Sequence, residues 1–127
     1  MSKVIVHIDD DRFLLEMYDA RLRKAGYEVY AFQKISQNII EDTANLKPDA
    51  IVSDIIHGSG DPDGIKLCRE MQKDERLKNV PFIFLSNTLR TLKDENISDL
   101  RIALTIEKAS LEPHEVISKI VEVLEKK

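Results

Sequence analysis

The sequence predicts an α/β fold: a five-stranded parallel sheet, doubly wound in a (βα)5 order, with helices on both faces. Three observations carry this. Short apolar runs alternate along the chain with segments of helical spacing. Runs such as "KVIVHI" are nearly unbroken, as in strands buried on both faces. No internal repeat, linker or low-complexity stretch divides the 127 residues, a length that suits one domain spanning 1–127.

Lys3 to Ile8 form the first expected strand. "DRFLLEMYDARLRKAG" then shows helical spacing through Phe13, Leu14, Met17, Tyr18, Arg21 and Leu22, and Gly26 stops it. "YEVYAF" alternates like a second strand. A weaker helix is expected from about Ile35 to Leu46, ended by Pro48. "DAIVSD" is the third strand and "GIKLCREMQKDE" the third helix. "VPFIFLS" is the fourth strand, with Pro81 near its start, where a missing N–H is tolerable. The polar segment from Thr88 to Asn96 is expected to hold a short helix, and "RIALTIE" a fifth strand. "EPHEVISKIVEVLEKK" is a last amphipathic helix, with Pro113 in its first turn.

Net charge is −4, so no basic field invites nucleic acid or an anionic membrane surface. No apolar run approaches a membrane span, and the start "MSKVIVHIDDD" lacks the pattern of a signal peptide. Cys68 is the single cysteine, which rules out an internal disulfide and suits a reducing, cytoplasmic setting.

In a sheet of this kind ligands bind outside the carboxyl ends of the strands. Strand one ends at Asp9, Asp10 and Asp11, strand three at Asp54 and strand four at Ser86; strand five runs into Lys108. Acids, a hydroxyl and an ammonium therefore share one sheet edge. Two like charges about 4 Å apart repel by about 4 kcal/mol at an effective dielectric of about 20, so clustered carboxylates there call for a cation or a raised pKa. Hard oxygen donors without His or Cys favour Mg²⁺, which keeps waters and accepts phosphate oxygens. Lys108 and Ser86 would complement the remaining phosphoryl oxygens.

These residues resemble the receiver domain of two-component response regulators, over nearly the whole chain. The family's acidic pair falls on Asp9 and Asp10, its phosphoacceptor on Asp54 in "PDAIVSD", its hydroxyl on Ser86 and its lysine on Lys108. The resemblance implies a flavodoxin-like fold and a phosphoryl group taken from a sensor histidine kinase or a phosphotransfer protein. It implies Mg²⁺ held by Asp10, Asp54 and the backbone carbonyl of Ile56, with Asp9 acting through water. It implies a phosphoacceptor, at most slowly self-phosphorylating and self-dephosphorylating, rather than an enzyme. The expected protein is a stand-alone module, monomeric or weakly dimeric, that signals through contacts with a downstream protein.

Five positions depart from the family's pattern. Asp63-Gly64 stands two residues further from Asp54 than usual, and Gly58 replaces a proline. Asn87 replaces a small residue after the hydroxyl. Ala109 follows Lys108 where a proline that takes a cis peptide is typical. Thr105 occupies the place of the aromatic switch residue, so activation is expected to reorganise helix four and the Asp54–Gly64 loop more than strand five.

Plainer roles compete with these. Asp11 is expected to cap the first helix or face solvent, Asp61 and Asp63 to solvate the loop and cap helix three, and His57 to be a solvated loop residue. His7 reads as a neutral, hydrogen-bonded core residue and Cys68 as a small core hydrophobe. Ile117, Ile120, Val121 and Leu124 read as core against the sheet and only then as a dimer face. Two other functions stay open at this point: a pseudo-receiver that binds partners without phosphorylation, and a small haloacid-dehalogenase-like phosphatase. The second would use Asp9 and Asp11 as its D-x-D pair, Ser86-Asn87 and Lys108. Phe13 stands where that family has Thr or Val, and Asp54 would have no role.

Overall fold

The computed structural model describes residues 2–56, 63–87 and 89–126. His57, Gly58 and Asp61, assigned above to the loop after Asp54, lie outside them. The strands are β1 (Val4–Ile8), β2 (Glu28–Phe32), β3 (Ala50–Ser53), β4 (Phe82–Ser86) and β5 (Leu104–Glu107). The helices are α1 (Arg12–Lys24), α2 (Ile39–Asn45), α3 (Asp63–Gln72), α4 (Thr91–Asp94) and α5 (Pro113–Glu125), with a 3₁₀ turn at Lys108–Ser110. The strands pair in the order β2-β1-β3-β4-β5, all parallel, as the alternation of elements predicts. Strand order reverses between β1 and β3, which makes their carboxyl ends the switch point of the sheet.

Each face of the sheet has its own core. Val6, Ile8, Ile51, Phe82 and Phe84 point to α2 and α3, where Ile39, Ala44, Ile65, Leu67, Cys68 and Met71 meet them. Ile5, Val29, Ala50, Val52, Ile83, Leu85 and Ile106 point to Tyr18 and Leu22 of α1 and to Val116, Ile120 and Leu124 of α5. Each fully buried apolar side chain contributes about 1.5–3 kcal/mol, so burial on both faces is what holds the parallel ladder together. Cys68 is part of the first core, and burial pushes its thiol up to about 12, as expected of a small hydrophobe.

α1 ends in a Schellman turn. Gly26 has φ 103°, Tyr27 N–H donates to the Leu22 carbonyl at 3.1 Å, and Gly26 N–H donates to that of Arg23 at 3.0 Å.

Four expectations need correction. The buried face of α1 is Leu15, Tyr18, Asp19 and Leu22, while Phe13 is 75% exposed and Arg21 faces solvent. The first turn buries Leu15 and packs Leu14 on the core, and Phe13 falls on its opposite, solvent side. α2 starts at Ile39, not near Ile35, because Ser36 to Asn38 form a turn in which Ile39 N–H donates to the Ser36 carbonyl at 3.1 Å. β5 starts at Leu104 rather than Arg101. The Gln72 side chain takes both backbone groups of Arg101, at 3.0 and 2.6 Å, and the Arg101 guanidinium reaches the Lys78 carbonyl at 2.5 Å. In α5 the buried stripe is Val116, Ile120 and Leu124, with Ile117 only half-buried.

Candidate phosphoryl-transfer site

Register brings the polar strand ends together. Ile8 lies opposite Ser53, so Asp9 and Asp54 leave adjacent strands at one height. Ser86 lies opposite Glu107, which places Lys108 just beyond it. Asp54 N–H still donates to the Ile8 carbonyl at 3.2 Å, so its backbone is held by the sheet although its side chain has left it.

Asp54 is the centre of the arrangement. The Ser86 hydroxyl donates to its Oδ1 at 2.5 Å, and Ile55 N–H donates to the same oxygen at 2.7 Å. Lys108 Nζ donates to Asp54 Oδ2 at 3.2 Å and to Asp9 Oδ2 at 2.6 Å. The other Asp9 oxygen accepts from Asp11 N–H at 2.9 Å. Asp9 is fully buried and the Asp54 side chain is 15% exposed, whereas Asp10 faces solvent. A ligand arriving from solution therefore meets Asp10 and Asp54 before Asp9.

Burial alone would push the Lys108 pKa down. The hydrogen bond and charge of Asp9, with those of Asp54, outweigh it, and the net direction is up. The ammonium stays charged at the one place where it touches two carboxylates.

Asp9, Asp10 and Asp54 each offer a carboxylate oxygen, and these oxygens lie within 4.8 Å of one another. The donor set is all oxygen, the kind that suits a hard divalent cation such as Mg²⁺. Ile56, whose carbonyl the resemblance adds to the set, is half-buried beside Asp54. Asp9, Asp10, Asp54, Ser86 and Lys108 thus meet in one cluster.

Others do not join it. Asp11 accepts from Leu14 N–H at 3.1 Å and caps α1, as expected, so the phosphatase reading loses its second carboxylate. Asp63 lies in the first turn of α3. Thr105 is exposed on β5, away from the cluster's described contacts. His7 is buried and hydrogen-bonded as expected, but its partner is a buried carboxylate, Asp19, 2.7 Å from Nδ1. Its Nε2 has no partner among the described residues. Asp19 was readable only as one more polar residue of α1; the signal was its helical spacing from Leu15 and Leu22. Sequence reasoning also missed what Asn87 does: its side-chain carbonyl accepts from Ala109 N–H at 2.8 Å. All peptide bonds in the described residues are trans, including Lys108–Ala109.

Among the described residues no helix is long and apolar enough to cross a membrane. The fold is that of the chemotaxis protein CheY4 of Vibrio cholerae, with a TM-score of 0.81 at 17% identity over 97% of this chain and 99% of that one. It is also that of the receiver domain of sensor histidine kinase PA1611 from Pseudomonas aeruginosa, solved with a magnesium ion coordinated in its active-site cleft. There the TM-score is 0.75 at 22% identity, over 96% of each chain. In sequence, the chain is 30% identical over 129 aligned residues to the phosphate regulon transcriptional regulatory protein PhoB of Pseudomonas aeruginosa, with 98% of this chain aligned. It spans about half the length of that relative, 52%. The family model of the response regulator receiver domain matches residues 5–121, nearly all of the two-faced sheet and its strand-end cluster, and the chain belongs to that family of two-component signalling domains.

Proposed function

We propose that Asp54 accepts a phosphoryl group from the phosphohistidine of a sensor kinase or phosphotransfer protein, with Mg²⁺ bound by Asp10, Asp54 and the Ile56 carbonyl. The observation that carries this is the placement of the Asp54 carboxylate. It lies between the Ser86 hydroxyl and the Lys108 ammonium, inside a cluster of acids. An Asp54 oxygen attacks phosphorus; the new O–P bond forms as the P–N bond breaks. The leaving ring nitrogen takes the bonding pair and then a proton from solvent. Bound Mg²⁺ supplies positive charge for the phosphoryl oxygens and relieves repulsion among the carboxylates. Lys108, already 3.2 Å from Asp54 Oδ2, can follow an oxygen of the attached group, and Ser86 can donate to another. Asp9, with both oxygens engaged, holds the ammonium in place, and it would act on a bound ion only indirectly. The phosphorylated domain then signals through protein contacts.

Incubation with acetyl phosphate and Mg²⁺, followed by borohydride trapping and mass spectrometry, is expected to place the label on Asp54. Label on another residue, or undiminished label in Asp54→Asn, would overturn the reading. No label at all, with binding of a partner unchanged by beryllofluoride, would favour the pseudo-receiver instead.

Asp10 is exposed, and its charge adds to the repulsion within the cluster. Asp10→Asn is expected to abolish Mg²⁺ binding in titration calorimetry while keeping or raising the melting temperature in EDTA. A clear loss of metal-free stability would show that Asp10 is mainly structural.

A further inference from the structure

We propose that Asn87 is a positioning residue for Lys108, acting through the backbone of Ala109. This rests on the phosphoacceptor reading of the site and adds a residue to it.

Lys108 opens the 3₁₀ turn Lys108–Ser110, and its ammonium reaches back into the site. The first N–H groups of a helical turn have no partner within it and need one from outside. The ordinary source is the side chain at the capping position. Here that residue is Glu107, which gives the turn no such bond; its carboxylate accepts from the Ser110 hydroxyl instead. The partner comes from another strand. Asn87 Oδ1 accepts from Ala109 N–H at 2.8 Å, across 22 residues of sequence. Asn87 directly follows Ser86, and Ala109 directly follows Lys108. One side-chain amide therefore ties the end of β4 that carries the hydroxyl to the turn that carries the ammonium.

Both partners are departures from the family's pattern, and each makes sense of the other. A proline at 109 would have no N–H to donate, and a small residue at 87 could not reach. The tie adds to the β4–β5 ladder in setting the spacing of the two groups that flank Asp54. The β4–β5 ladder ends at Ser86 and Glu107; without the tie the turn beyond it is freer to move, and the ammonium can spend time away from Asp54.

Three variants test this: Asn87→Ala, Ala109→Pro, which removes the donor, and the two combined. Asn87→Ala is expected to speed amide exchange at Ala109. It is also expected to broaden or shift the Lys108 ammonium signal in ¹⁵N NMR and to slow labelling by acetyl phosphate about two- to tenfold, the range for one hydrogen bond. Mg²⁺ affinity is expected to stay constant, because neither tied atom is a ligand. The double variant is expected to be no slower than the slower single one, since both remove the same bond. Faster Ala109 exchange with an unchanged Lys108 signal would reduce the bond to a structural one and overturn the proposal, as would an additive double variant. The NMR readouts need no phosphoryl transfer. A wild-type protein that takes no label would overturn the phosphoacceptor reading and still leave the role of Asn87 decided by the Lys108 signal.

Discussion

Gly64→Ala is expected to destabilise the domain by about 3 kcal/mol, the upper end of overpacking penalties, and to disable phosphoryl uptake with it. A Cβ at Gly64 would lie 2.0 Å from the Asp54 carbonyl oxygen, 2.8 Å from Ile55 Cα and 2.9 Å from the Ile55 carbonyl oxygen. All three are backbone atoms with no rotamer to yield. The close approach is held by Gly64 N–H donating to the Ile55 carbonyl at 2.9 Å. A methyl group must push the start of α3 off the segment that presents Asp54 and Ile56. Denaturant midpoints and acetyl phosphate labelling would measure the two losses. Gly26→Ala is the control: nothing lies within 4 Å of its Cβ, so only its positive φ is penalised, by about 1 kcal/mol, and labelling is preserved. Equal damage from both substitutions would mean that crowding at Asp54 is not the cause.

Lys108→Met is expected to remove about 3–5 kcal/mol of stability in EDTA, by leaving the fully buried Asp9 without its ammonium. Adding Asp9→Asn should recover most of that loss, since an uncharged pair strands no ion. Failure of the double variant to recover would show that Lys108 acts through packing of its stem. The pH dependence has a definite sign. The folded pKa of Lys108 lies above its ordinary 10.5, so its contribution is fully present below that value. It is lost only as pH rises through the folded pKa. The gap between wild type and Lys108→Met should be flat across neutral pH and close only in strong alkali.

The strands were legible because burial on two faces leaves continuous apolar runs, and the site because charged residues end those runs. Asp9, Asp54, Ser86 and Lys108 could each be placed from the strand before it. What the sequence hid was set by contacts between elements. Phe13 was grouped with the apolar spacing of α1, but the buried face runs through Leu15, Tyr18, Asp19 and Leu22 and leaves it outside. The partner of His7 lies on α1, and only the spacing of Asp19 from Leu15 and Leu22 marked it as buried. β5 was read too long because an edge strand with one open face needs no unbroken run: Leu104 and Ile106 turn inward, while Ala103, Thr105 and Glu107 face out. Asn87 was noticed only as a departure, since its partner follows 22 residues later and is a backbone group.

The site draws one group or pair from each of four strands, and this sets an order of events during synthesis. Asp9 and Lys108 are 99 residues apart, Asp54 and Ser86 are 32 apart. A ribosome making about 5–20 residues per second delivers the acids several seconds before their ammonium. Until then the carboxylates at the ends of β1 and β3 repel one another with no ammonium between them. Docking of β5 eases that penalty, so the last of the five strands to emerge supplies the charge that the ends of β1 and β3 lack.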